Sequence, residues 1–283
     1  DLSFGAGTLL LGHQSQIFKR AVKEIVLNKK NLIGTPNNDA LEYSKILKKL
    51  LPSYSKFIFC NTGSESILKS IRIANAISKK NLIINVTGSW HGSVDRTLFT
   101  SNRKLASLPI SSGLTNYNKK NIKFIPYNDI YKSKKILDKF KKKISCILIE
   151  PIQASLPQKN VKKFLKFLQS YSKKNGLILI FDETISGIRT NGTTVQDILK
   201  LNPDISTFGK CFGGGFPIGI IAIKQKILSK ISNLEKKVFF GGTFSANQIS
   251  TKVGRMTLEH IMKNKKKIFS NLEIKSLKIE KEI

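Results

Sequence analysis

Acid is what this sequence lacks most: 18 Asp and Glu face 49 Lys and Arg over 283 residues, a formal charge of +31. Such a balance ordinarily points to nucleic acid or an anionic surface. Arginine is scarce too, confined to Arg20, Arg72, Arg96, Arg103, Arg189 and Arg255, while the lysines are spread along most of the helical segments. A phosphate-reading surface favours the planar guanidinium fork and gathers it in one place. A dedicated nucleic-acid function is therefore set aside. The abundance of Ile, Asn and Ser beside Lys reads as compositional drift, leaving room for weak, salt-sensitive adsorption to polyanions.

Cysteine is limited to Cys60, Cys146 and Cys211, an odd number without metal-ligand spacing, and His13, His91 and His260 lie far apart. The thiols read as reduced core residues, and no metal is expected. No apolar run approaches the ~20 residues needed to cross a bilayer. The first residues show no basic stretch, apolar run and small-residue cleavage site of a secretory leader. The expectation is a cytoplasmic protein without a membrane partner.

What is present is a βαβ rhythm. Apolar runs at 57–60, 82–86, 122–125, 144–150, 177–183, 204–208 and 218–223 read as strands. Helical periodicity falls at 16–26, 39–50, 64–79, 131–142, 161–175 and 248–262, with Pro52 and Gly176 as stops. The lysine runs 141–143 and 265–267 read as solvated helix ends. Residues 95–120 show no sustained period and read as one long loop. The fold class is α/β, a mostly parallel sheet with helices on both faces. Residues 1–34 form an N-terminal segment, 35–245 the large domain, and 246–283 the start of a small domain or a linker helix.

Three local patterns carry chemistry. The run LILIFDE ends a buried strand in Asp182, and a buried carboxylate costs several kcal/mol unless it meets a cation. In STFGKCFGGGFPIG a single lysine, Lys210, stands between an apolar strand and three glycines, Gly213 to Gly215, which would let the backbone pass close to a ligand. Thr62, Gly63 and Ser64 lie between a strand and a helix, where hydroxyls and free amides meet the positive end of the helix dipole. Pyridoxal 5'-phosphate satisfies all three, with a protonated ring nitrogen for Asp182, an aldehyde for Lys210 and a phosphate for the helix N-terminus.

The motifs CNTGSES, GSWHGSVD, PYND, IEPI, LIFDETISGIR, FGKCFGGGFPIG and GGTFSANQISTKVGRMTLE, in that order, resemble the class III aminotransferases of the fold-type I pyridoxal phosphate enzymes. Within that family the chain looks most like the glutamate-1-semialdehyde aminomutases. The resemblance runs from Gly12 and His13 to about Glu259. Because the chain starts at Asp1 inside what resembles the family's N-terminal region, it reads as a fragment or truncated product, incomplete at both ends.

The resemblance implies catalytic roles for Lys210, as the amine joined to the cofactor and then the proton-transfer group, and for Asp182, as the partner of the ring nitrogen. It implies cofactor contacts for Thr62, Gly63, Ser64, Trp90, His91, Ser155 and Thr243. Trp90 would stack on the cofactor ring, and Gln153 and Ser155 would lie near its hydroxyl. Thr243 would reach the neighbouring subunit's cofactor in a homodimer. Glu150 and Arg189 read as structural. The aminomutases tend to carry Asn where Ser155 stands, and 100–113 lacks the small-residue run expected before the family's LP turn. Three readings therefore stay open: an intramolecular aminomutase serving tetrapyrrole synthesis; an intermolecular transaminase acting on an amino acid, amine or keto sugar; and an inactive relative with a binding role.

Overall fold

The computed structural model describes residues 1, 3–27 and 34–282. The expected boundary at 34 therefore abuts residues 28–33, which lie outside the described residues.

Nine strands are present among the described residues: β1 (Lys56–Cys60), β2 (Leu82–Val86), β3 (Phe99–Ser101), β4 (Ser107–Pro109), β5 (Ile122–Ile125), β6 (Ile144–Ile149), β7 (Ile178–Asp182), β8 (Ile205–Gly209) and β9 (Gly219–Ile223). Seven make one sheet in the order β1-β9-β8-β7-β6-β2-β5. The pairs β2–β5, β2–β6, β6–β7 and β7–β8 are parallel, and β9 alone runs antiparallel to both neighbours. The mostly parallel sheet expected from the Ile-rich runs is what forms.

Alternation along each strand sends side chains to two cores. Leu82, Ile84 and Val86 join Ile147, Ile149, Leu179 and Phe181 under Phe164, Leu165 and Leu168 of helix Lys162–Asn175. Ile83 joins Cys146, Leu148, Ile178 and Ile180 under Ile67, Ile71 and Ala74 of helix Gly63–Ser78. Burial of each such side chain stabilises the fold by roughly 1.5–3 kcal/mol. Helix Lys162–Asn175 stops at Gly176, whose φ of 64° closes the last turn in the left-handed region. A third core holds Tyr43 and Leu47 of helix Asn38–Leu50 against Phe208, Phe212 and Ile220. Helix Gln248–Lys263 packs there through Leu258 and Ile261 and is followed by the 18-residue helix Lys265–Glu282.

The reading of 95–120 as one loop is corrected. β3 and β4 pair as a small antiparallel ribbon, and Asn116–Lys120 is helical. Three-residue strands are too short to show a period. They are held by Phe99, buried against Ile122 and Phe124. No helix among the described residues is long and apolar enough to cross a membrane.

Candidate active site

Strand β1 ends at Cys60, and the chain turns through Asn61 and Thr62 into helix Gly63–Ser78. Thr62 caps that helix: its Oγ1 accepts from Glu65 N–H at 3.1 Å, while Glu65 Oε2 accepts from Asn61 N–H at 3.0 Å. This pair of side-chain bonds, the second reaching one residue before the cap, fixes the turn and leaves the Gly63 and Ser64 amides without an intrahelical partner, at the positive end of the helix. Ser64 Oγ accepts from Ser93 N–H at 3.0 Å. A Cβ on Gly92, whose φ is +76°, would overlap Ser64 Oγ.

Asp182 closes β7 and is only 4% exposed. Its Oδ2 lies 2.8 Å from His91 Nδ1, and its Oδ1 accepts from Thr184 N–H and Thr207 Oγ1, each at 3.0 Å. Burial pushes this carboxyl's pKa up, but the His91 bond and charge, with the Thr184 bonds, bring it below the ordinary carboxylate value. His91 Nε2 in turn lies 2.9 Å from Asn85 Oδ1, so the imidazole bridges two oxygen atoms.

Lys210 follows β8 at the start of a single 3-10 turn. Its φ of 49° is left-handed, a costly setting for a residue with a Cβ. Its Nζ donates to Ala6 O at 2.7 Å. Beyond β6, Glu150 is 3% exposed and its Oε2 accepts from Trp90 N–H at 2.9 Å. Burial raises the Glu150 pKa to about 6, against the lowering effect of His91.

These groups surround a cavity of about 390 Å³, lined by Thr62, Gly63, Ser64, Trp90, His91, Asp182 and Lys210 together with Thr8, Glu150, Thr184 and Phe216. The strands β1, β2, β6, β7 and β8 all end here, the position at which open α/β sheets bind ligands. Within it stand a helix start with free amides, a buried carboxylate, a lysine amine and a half-exposed indole, Trp90 at 50%. That donor set fits a phosphorylated pyridine aldehyde at each of its functional ends.

Gln153, Ser155 and Thr243 are not in the cavity wall of this chain, Thr243 having been expected at the neighbouring subunit's cofactor. Ser155 does not line the cavity, and its Oγ donates to Gly88 O at 3.0 Å. Gln153 Nε2 likewise donates to Thr87 O at 2.7 Å. Thr243 is exposed and outside the cavity. The glycine run is also placed differently from expectation: only Gly215 lines the cavity, while Gly213 meets Ile218 and Gly214 meets Thr257 and Val253 of helix Gln248–Lys263. Sequence reasoning missed Thr8, Asn85, Thr184 and Thr207. Only Thr184, two residues beyond Asp182, carried a local signal. Among the described residues no cluster of three or more His, Cys, Asp or Glu is arranged for a metal ion.

The aminotransferase class III family model matches residues 1–281. The chain is 33% identical over 261 residues to the glutamate-1-semialdehyde 2,1-aminomutase of Methanosphaera stadtmanae, covering 92% of this chain and 61% of that protein. It is 34% identical over 269 residues to the protein of the same name from Thermoplasma volcanium, covering 93% and 63%. An omega-transaminase from Sphaerobacter thermophilus superposes with a TM-score of 0.83 at 24% identity, over 92% of this chain and 61% of that one. A glutamate-1-semialdehyde aminomutase from Pseudomonas aeruginosa PAO1 gives 0.79 at 18% identity, over 92% and 59%. Both share this fold. The chain spans about 61–63% of the length of these two curated relatives.

Proposed function

Because the chain belongs to the class III aminotransferase family, we propose that it takes part in pyridoxal-phosphate-dependent amino transfer, and specifically in the intramolecular shift for which its curated relatives are named. The observation that carries this reading is that Lys210, Asp182 and the start of helix Gly63–Ser78 share one cavity. When bound, pyridoxal phosphate supplies an electron sink for a substrate carbon that loses its proton. The Gly63 and Ser64 amides and the Thr62 hydroxyl hold the phosphate. Asp182, kept ionised by His91, Thr184 and Thr207, holds the ring-nitrogen proton. Trp90 would stack on the bound ring and exclude water from it. Lys210 Nζ would act as base and acid, moving the proton between a substrate carbon and the cofactor carbon, work that a lysine amine within reach of both can do.

Thr243 sits in an exposed stretch with Phe239 and Phe244, at 72% and 56% exposure. Apolar side chains so placed support a homodimer in which Thr243 contacts the neighbouring subunit's cofactor. A small amino or keto substrate, tetrapyrrole precursor synthesis and a cytoplasmic location belong to the same reading.

One observation favours the intermolecular alternative: Ser155, where the aminomutases tend to carry Asn, is directed to Gly88 O and not to the cavity. Incubation of the full-length protein with glutamate-1-semialdehyde and no amino donor separates the two. Turnover supports the mutase, and a strict need for a second amino compound supports the transaminase. A colourless protein that gains no mass on borohydride trapping with pyridoxal phosphate rejects both.

A further inference from the structure

The turn that carries Trp90 and His91 follows β2, and each of the four residues 87–90 is gripped by a side chain from 150–155. Gln153 Nε2 donates to Thr87 O at 2.7 Å and to Ser89 Oγ at 3.1 Å. Ser155 Oγ donates to Gly88 O at 3.0 Å, and Glu150 Oε2 accepts from Trp90 N–H at 2.9 Å. Glu150 and Gln153 are 3% and 1% exposed. Polar groups buried that deeply are stable only when partnered, and their partners here include backbone and hydroxyl atoms of this one turn, with the Ala154 backbone also bonding Glu150. Gly88, at φ +85°, completes the fit: a Cβ there would stand 3.1 Å from Gln153 Oε1. The clamp joins residues 60 to 67 apart in the chain, so the turn takes its shape from the end of β6.

We propose that Glu150 and Gln153 are positioning residues, which hold the 87–90 turn so that the Trp90 indole forms a cavity wall and His91 meets Asp182. This rests on the reading of the cavity as a cofactor site. Glu150 acts through a backbone N–H at Trp90, and Gln153 acts one step further back, through the carbonyl of Thr87. A neutral amide oxygen at position 150 can accept the same N–H, whereas a methyl group cannot. Geometry and not charge is therefore the first requirement at that position.

The test uses the fluorescence of Trp90, the sole tryptophan of these 283 residues, with any tryptophan elsewhere in the full-length protein replaced by Phe. In the full-length protein, Glu150→Ala and Gln153→Ala should red-shift the emission and raise acrylamide quenching. Each should weaken pyridoxal phosphate binding about tenfold, the effect of one lost buried hydrogen bond. Glu150→Gln should restore emission, quenching and affinity to within about twofold, because the acceptor is kept. Ser155→Ala, at an exposed position with little bearing on folding, should raise quenching with the urea midpoint unchanged. Emission and quenching unchanged in Ser155→Ala and in whichever buried variant folds would overturn the proposal, as would failure of Glu150→Gln to rescue. If the wild type itself binds no pyridoxal phosphate, the cofactor reading fails, while Trp90 emission in the unliganded protein still decides the clamp.

Discussion

Gly219, the first residue of β9, runs against the backbone of Thr62. A Cβ at Gly219 would overlap the Thr62 carbonyl and stand 3.2 Å from Gly63 N. The β1–β9 pairing places Gly219 opposite Cys60, two residues before the helix cap. The start of helix Gly63–Ser78 thus rests directly on the end of β9, an interior strand of the sheet, and its free amides are held at the cavity without a side chain between.

Gly219→Ala should displace the 61–64 turn. Overpacking at a rigid backbone contact costs about 1–3 kcal/mol. We expect a lower urea midpoint and pyridoxal phosphate affinity reduced about tenfold or more, since a small shift moves both amides proposed to hold the phosphate. Spectrophotometric titration of the purified variant checks this. Wild-type affinity would mean that the turn does not hold the phosphate.

Lys210 occupies a left-handed φ of 49°. Lys210→Gly and Lys210→Ala both remove the amine and the bond to Ala6 O, so both should lose the covalently attached chromophore. They should differ in stability, because only glycine occupies that region without strain. The Gly variant should be about 0.5–1 kcal/mol more stable than the Ala variant, after allowance for glycine's larger chain entropy. Urea denaturation without cofactor reads the difference.

Glu183 is buried beside Asp182 and accepts from Val195 N–H at 2.7 Å and Gln196 N–H at 3.1 Å. Burial outweighs those bonds and raises its pKa to about 7, above the ordinary glutamate value of 4.5. A raised carboxyl pKa means that the folded state binds more protons between those values, so stability falls as pH rises. The contribution is full below about pH 4.5 and is lost through pH 7, a change of up to about 3 kcal/mol. Glu150, raised to about 6, acts in the same direction. Glu183→Gln should flatten the slope between about pH 4.5 and 7. It should also lower stability by about 1–3 kcal/mol, because an amide NH2 then faces one of the two N–H donors. Urea midpoints across that range test both.

His91→Phe would remove the donor at 2.8 Å from Asp182 Oδ2 and leave a carboxylate buried with fewer partners. Its pKa should rise. The acid limb of pyridoxal phosphate binding should move to higher pH, and affinity at neutral pH should fall about tenfold. Absorbance titrations over pH 4–8 decide it, and an unmoved acid limb would mean that His91 does not tune Asp182.

The features legible in the chain were those written within a few consecutive residues. Thr62, Gly63 and Ser64 form one strand-turn-helix junction, Asp182 ends one apolar run, and Lys210 lies between a strand and a glycine run. Asn85 was hidden because it stands inside β2, where a polar residue in an apolar run has no local partner. The bonds of Gln153 and Ser155 were hidden for the same reason, as their acceptors lie 66 and 67 residues away. Gly213 and Gly214 looked like ligand-facing residues, yet they make room for Ile218 and for the helix Gln248–Lys263.

By itself the sequence determined the α/β class, the parallel order implied by Ile-rich runs between helices, and three of the chemical groups at the site. These follow from hydrophobic periodicity and turn chemistry, which act over a few residues. Tertiary structure alone decided that those groups share one cavity, that His91 bridges Asp182 and Asn85, and that 150–155 grips the Trp90 turn. Strand order brings residues 62, 91, 150, 182 and 210 to one end of the sheet. That order is set by burying both faces of the sheet at once, a condition on the whole chain that no short segment contains.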